Sequence, residues 1–220
     1  MRSQPAVVGN TLYLAVADAY RLYAINRETG CIRWVYRTEH APRSAVGYGV
    51  LDNGRPIVFF GDIAGHVHVL DASDGAPVWY RKLGVFESSA ITAPPVLVGD
   101  IIYVAHSSLE TLSSIDPEYP CCSISGAVSA HSAATGETLW VTTTLSESKP
   151  RGKSSVGTQL MGPAGASVWN APLVDLERDL IIVGTGPLSA PPDQGTSDAV
   201  IAFDRFTGER RWVFQGMADD

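Results

Sequence analysis

Val67-His68-Val69-Leu70-Asp71-Ala72-Ser73-Asp74-Gly75, with Trp79 four residues beyond, decides the fold. The pattern returns as Leu22-Tyr23-Ala24-Ile25-Asn26-Arg27-Glu28-Thr29-Gly30 with Trp34, as Val128-Ser129-Ala130-His131-Ser132-Ala133-Ala134-Thr135-Gly136 with Trp140, and as Val200-Ile201-Ala202-Phe203-Asp204-Arg205-Phe206-Thr207-Gly208 with Trp212. The four segments superimpose without gaps. In each, apolar residues alternate up to an Asn, Asp or Ser, a turn ends on a Gly suited to positive φ, and a second strand opens with a large aromatic, which is the reading of a β-hairpin. One hairpin cannot bury its own apolar face. A further strand pair lies upstream, as in residues 5–15 and 93–104, each with a Gly-Asn or Gly-Asp turn, so a repeat is a four-stranded blade. Blades of this kind pack face to face around a channel, and the expected architecture is an all-β propeller of four-stranded antiparallel blades. The repeats end near Trp34, Trp79, Trp140 and Trp212, and the whole of 1–220 reads as one partial propeller. The four tryptophans are read as blade-to-blade packing. Their spacings of 45, 61 and 72 residues leave long Ser-, Gly- and Pro-rich loops at 107–123, 145–168 and 187–197. Long loops in a compact domain carry function more often than not.

Composition agrees and excludes several roles. Charged residues make up 18%, Gly contributes 21 and Pro 14, a profile of short strands punctuated by turns. A formal charge of −7 without any Lys/Arg cluster offers no footprint for nucleic acid. No apolar run nears bilayer-spanning length, Ile101-Ile102-Tyr103-Val104-Ala105 being strand-sized. Residues 1–5 lack the apolar region of a secretory signal. No Gly-rich loop sits between a strand and an amphipathic helix, so a nucleotide-dependent oxidoreductase has no support. Three cysteines, Cys31 apart and Cys121 beside Cys122, make no disulfide framework. Adjacent cysteines can close a ring only with backbone distortion, because neighbouring Cα atoms lie about 3.8 Å apart or less. Two readings of Cys121-Cys122 therefore stand, a vicinal disulfide and two free buried thiols.

The Ala-x-Asp-x-x-Thr-Gly-x-x-x-Trp repeat resembles the tryptophan-docking motif of quinoprotein propellers, which carry pyrroloquinoline quinone (PQQ). The likeness runs over the whole chain. The stretches Tyr119-Pro120-Cys121-Cys122 into Gly126, and Gly162-Pro163-Ala164-Gly165-Ala166-Ser167-Val168-Trp169 into Gly184-Thr185-Gly186, resemble the polyvinyl-alcohol-dehydrogenase-like branch. The resemblance implies that Trp169 stacks on the quinone, as a flat aromatic suits a fused ring; a fifth packing tryptophan is the other reading. It implies that Thr92, Ser107 and Ser167 hydrogen-bond the cofactor, that Arg43 pairs with a quinone oxygen or carboxylate, and that Cys121 and Cys122 lie against the cofactor. It also implies that Glu110 ligates a Ca²⁺ polarising the quinone carbonyl, and that Asp220 is the base that accepts the alcohol proton. Without the family, Glu110 is a loop carboxylate in solvent.

Two departures accompany the likeness. Pro187 stands where the family follows Gly-Thr-Gly with a metal-ligating Asn, so the metal would rest on Glu110, cofactor oxygens and water or on a loop substitute such as Ser189, and weakened metal binding or a different metal chemistry is expected. Family propellers close with about eight blades, so four repeats predict about half a ring, a fragment whose open edges need the other half or another chain. The implied activity is oxidation of an alcohol to a carbonyl, with electrons passed to an acceptor such as a cytochrome c in a periplasmic or secreted setting. The competing expectation is a propeller that kept the repeat and serves as a scaffold or binding module.

Overall fold

In all four repeats the turn forms as its residues dictate. The computed structural model describes residues 4–218. The carbonyls of Asn26, Asp71, Ser132 and Asp204 accept the amides of Gly30, Gly75, Gly136 and Gly208 at 2.8–2.9 Å. Those glycines have φ of 72–77°, a region costly for any residue with a Cβ. The Asn26 and Asp204 side chains each accept two turn amides, which is why an Asx residue closes the third strand. The register slips by one residue at the same repeat position in every blade, at Ala24/Ile25, Val69/Leu70, Ala130/His131 and Ala202/Phe203.

Four antiparallel sheets follow in chain order. The first joins β1 (Ala6–Val8), β2 (Thr11–Val16), β3 (Arg21–Asn26) and β4 (Ile32–Arg37). The second joins β5 (Gly47–Val50), β6 (Pro56–Gly61), β7 (His66–Asp71) and β8 (Pro77–Lys82). In the third, β9 (Ser89–Ala90) pairs with the end of β11 (Ile101–Ser108), which lies between β10 (Val96–Val98) and β12 (Ala127–Ser132), with β13 (Thr138–Thr143) outermost. The long loops carry structure of their own: a short helix α1 (Glu110–Ser113), a hairpin of β14 (Lys149–Lys153) and β15 (Gln159–Gly162), and β16 (Ala164–Gly165). The fourth sheet orders β17 (Leu173–Asp175), β18 (Leu180–Gly184), β20 (Ala199–Asp204) and β21 (Arg210–Gln215), while β19 (Leu188–Ala190) leaves it to pair with β16. The chain is thus four consecutive blades of an all-β propeller.

Tryptophan joins each blade to the next. Trp34 Nε1 donates to the Ala72 carbonyl at 3.2 Å, Trp79 Nε1 to Ala133 at 2.7 Å and Trp140 Nε1 to Arg205 at 3.0 Å. Each indole also lies flat over the next blade's turn glycine. A Cβ on Gly75 would stand 2.5 Å from the Trp34 ring, and one on Gly208 2.5 Å from Trp140. The glycine therefore serves two ends, the positive φ and the close approach. Trp212, on the last described blade, is 43% exposed.

Central strands are buried on both faces, so one strand feeds two cores. On β11, Ile102 and Val104 pack with Ile57, Phe59, Val69 and Trp79 of the second blade. Its Tyr103 and Ala105 pack with Ile181, Val183, Ile201 and Phe203 of the fourth. β6 divides likewise, Val58 and Phe60 facing Tyr13, Leu22 and Ala24. Such strands read as continuous apolar runs rather than alternating ones.

Polar side chains interrupt this packing in the third blade. Ser129 Oγ lies 2.6 Å from His106 Nε2 and 2.7 Å from His131 Nε2, and His131 Nδ1 is 3.1 Å from Thr138 Oγ1. A hydroxyl has one proton, so it donates to one ring and accepts from the other. The least costly arrangement runs His106 Nε2–H to Ser129, Ser129 to His131, and His131 Nδ1–H to Thr138. That leaves only a lone pair unmatched, at His106 Nδ1. Burial pushes His106 down to about 3, with His131 adding to it, and His131 down to about 4.

Two outcomes are expected. Trp79→Phe, which removes the bond to Ala133, costs about 1 kcal/mol and Trp79→Ala about 3–5 kcal/mol in urea unfolding. Both histidines have folded values below their unfolded one, so the unfolded chain takes up protons first. Stability is full above about pH 6.5 and falls on acidification toward pH 4 to 3, by at most about 1.4 kcal/mol per pH unit for each ring. Urea midpoints at pH 7, 6 and 5 check this; His131→Gln flattens the slope, and an unchanged midpoint from pH 7 to 5 contradicts the assignment.

Candidate functional site

Because the strands of a blade alternate in direction, the connections between blades and the turns after each second strand emerge together, opposite the Thr-Gly turns. The long loops are of this kind. They enclose a pocket of about 490 Å³ lined by Arg43, Thr92, Ser107, Ser167, Trp169 and Pro187 among others. Its volume lies in the range of small-ligand sites.

Repeat geometry explains how two of these residues meet. The amide of Ile91 donates to the Asp62 carbonyl at 3.0 Å, and the amide of Val168 donates to His106 at 3.1 Å. Asp62 and His106 each follow the second strand's core residues in successive blades, so the next residues, Thr92 and Trp169, occupy equivalent places. Thr92 Oγ1 and Ser107 Oγ share a hydrogen bond of 2.9 Å, and Ser107 Oγ donates to the Ala90 carbonyl. Ser167 Oγ accepts the amide of Ser108, which ties the third inter-blade loop to the end of β11. Trp169 is 67% exposed and borders the cavity, packed into none of the core clusters of the described residues. Its ring packs beside Gly186, Nε1 lying 3.6 Å from where a Cβ on that glycine would stand, an ordinary contact distance. Among the described residues Arg43 is in no ion pair, and its guanidinium is left to the pocket. Ser108, at the end of β11, and Thr111 and Leu112, on α1, also line the cavity, and nothing in a Ser-rich loop announces that placement.

Glu110 corrects an expectation. It is 2% exposed rather than in solvent. Its carboxylate accepts the amide of Ser123 at 2.7 and 2.9 Å, the amide of Ile124 at 2.7 Å, the Ser123 hydroxyl at 3.1 Å and the Tyr119 hydroxyl at 3.2 Å. A carboxylate has about four lone-pair sites, so these donors fill it. The Pro187 carbonyl is itself used by the Ala166 amide. No group of three or more His, Cys, Asp or Glu among the described residues is arranged for a metal. As they stand, these donors do not fit a Ca²⁺ ion. Glu110 instead closes the loop that carries Cys121 and Cys122, which are joined as a vicinal disulfide across a cis peptide and pack on Ala164 and Ala190. The cysteines do not line the pocket, and Asp220 lies outside the described residues.

Four tryptophan-docked blades whose loops converge on one cavity bearing an exposed indole define a tryptophan-docking propeller with a ligand-sized site. Comparison with known proteins makes the family particular. The family profile described as PQQ, glucose/ethanol/alcohol dehydrogenase, beta-propeller domain, matches residues 1–220, and the chain belongs to that family. It is 34% identical over 221 residues to a polyvinylalcohol dehydrogenase of Sphingopyxis sp. (strain 113P3), covering 99% of this chain and 34% of that protein. The chain thus spans about a third of the length of such relatives. A quinohemoprotein alcohol dehydrogenase from Pseudomonas putida HK5 superposes with a TM-score of 0.74 at 22% identity, over 100% of this chain and 34% of that one. BamB from Moraxella catarrhalis superposes with a TM-score of 0.60 at 21% identity, over 98% of this chain and 48% of that one.

Glu110→Ala strands two amides and two hydroxyls and is expected to cost about 2–5 kcal/mol in chelator-treated protein, measured by urea unfolding. Added Ca²⁺ leaves the wild-type melting temperature unchanged. A saturable Ca²⁺-dependent rise that vanishes in Glu110→Ala would contradict this reading of the carboxylate.

Proposed function

We propose that this chain forms the cofactor-holding portion of a PQQ-dependent alcohol dehydrogenase that oxidises a hydroxyl to a carbonyl. The observation that carries the reading is the exposed Trp169 indole on the same cavity as three hydroxyls and Arg43, which is in no ion pair among the described residues. PQQ, when bound, supplies an electrophilic quinone carbonyl able to accept hydride from the alcohol carbon. Trp169 offers a flat face on which a fused ring gains offset stacking and from which water is displaced. Thr92, Ser107 and Ser167 keep acceptor or donor capacity beyond their present bonds, which suits carboxylate and carbonyl oxygens. Arg43 supplies a positive charge for a carboxylate in a chain of net charge −7.

The hydroxyl proton must leave as the hydride does, and Asp220 is the residue assigned to take it. Electrons would pass on to an acceptor such as a cytochrome c, in a periplasmic or secreted setting. Among the described residues no helix is long and apolar enough to cross a membrane. The filled Glu110 carboxylate and Pro187 favour a second reading, a propeller that binds a ligand without oxidising alcohol.

Titrating the 220-residue chain with PQQ is expected to quench Trp fluorescence saturably, with Trp169→Ala weakening binding by tenfold or more. Binding with dye-linked oxidation of polyvinyl or small alcohols supports the dehydrogenase; binding without turnover supports the second reading. Absence of saturable quenching in folded protein overturns both for this cavity.

A further inference from the structure

Outside the pocket, Asp62, in the turn between β6 and β7, is a densely bonded polar group. Its side chain is fully buried. Oδ1 accepts the amides of Ala64 and His66, both at 2.9 Å. Oδ2 lies 3.1 Å from His66 Nδ1 and 3.1 Å from His68 Nε2. His68 Nδ1 in turn meets the Tyr36 hydroxyl of the first blade at 3.2 Å. Burial alone would raise Asp62, but the bonds from His68 and the His66 amide outweigh it and hold the carboxyl below its usual range. Burial keeps His68 below its usual value. A charged carboxylate receiving Nε2–H of a neutral His68, whose Nδ1 accepts from Tyr36, satisfies every partner.

The backbone of the same turn reaches in two directions. On one side, the Gly61 carbonyl accepts the amides of Arg43 at 2.9 Å and Ser44 at 3.2 Å, and Ile63 N–H donates to Ala41. Ser44 Oγ returns the link by accepting the Gly61 amide at 2.8 Å. On the other side, the Asp62 carbonyl accepts Ile91 N–H, directly before Thr92. Gly61 is bare where Ile91 packs; a Cβ there would collide with the Ile91 side chain and carbonyl. One turn therefore holds both segments that present Arg43 and Thr92 to the cavity.

We infer that Asp62 is a positioning residue for the cofactor pocket: by fixing the β6–β7 turn it sets the placement of Arg43 relative to Thr92. The inference rests on the proposed cofactor site, but its structural half can be read without cofactor. The neighbouring blades show why it is particular to this position. His106 and Thr185 stand at the corresponding ends of β11 and β18, and only Asp62 couples the turn amides to a side chain bonded across to the preceding blade. A rigid set of supporting bonds is what a preorganised site requires, because small displacements of binding groups are costly.

The test pairs hydrogen exchange with PQQ affinity in the 220-residue chain. Without ligand, Asp62→Asn is expected to lose protection by tenfold or more in peptides spanning 41–46 and 89–93, while 199–215 is unaffected. Ser44→Ala, a milder change that removes one link, should loosen 41–46 alone. With PQQ, Asp62→Asn should weaken binding at least tenfold in the native background and less than threefold when Arg43→Ala and Thr92→Ala are both present. Unchanged protection at 41–46 and 89–93, or an equal loss of affinity in both backgrounds, overturns the inference. If the native chain fails to bind PQQ, the proposed function falls and the exchange result alone decides the role of Asp62. If Asp62→Asn does not fold, unchanged exchange at 41–46 in Ser44→Ala overturns the inference and loosening there supports it.

Discussion

Everything in this molecule hangs on an indole laid over a glycine. Trp34, Trp79 and Trp140 each cover the turn glycine of the following blade and donate a hydrogen bond to its backbone. The contact joins a large apolar area to a directional bond, so it fixes both the distance and the rotation between blades. It also explains why the repeat tolerates so much variation between those two points. Insertions of very different length leave the docking end untouched because they emerge at the opposite end of the blade.

That separation divides labour across the fold. One end of each blade is spent on stability and the other is free to vary. On the variable end the same backbone bond, from a loop amide to the carbonyl ending a second strand, recurs at Ile91 and Val168 and delivers Thr92 and Trp169 to one cavity. A repeated scaffold thus builds an asymmetric pocket by changing side chains at one repeat position. Membership of the PQQ propeller family is consistent with this use of the face.

Glu110 and the cysteine pair show where family likeness and local chemistry part. In this chain the carboxylate is filled by Ser123, Ile124 and Tyr119, and the disulfide packs on Ala164 and Ala190 away from the cavity lining. A carboxylate in a motif is only a candidate ligand; its lone pairs decide. Here they hold a loop, and the loop in turn caps the end of β11 beside the pocket.

The sequence by itself determined the blades. Alternation of apolar residues, an Asx residue before a tight turn, a glycine with forced positive φ and a tryptophan at constant spacing are local signals, each acting within about ten residues, and together they leave little choice of fold. Thr92, Ser167, Trp169 and Arg43 lie on connections between blades and Ser107 near the end of β11, and the cavity unites them. Only tertiary structure decided the rest. Burial of Glu110, exposure of Trp169 and the bonding of Asp62 to His68 and Tyr36 depend on partners far along the chain, brought together by blade packing. A side chain's solvation and its hydrogen-bond partners are properties of the assembled fold, and no local pattern encodes them.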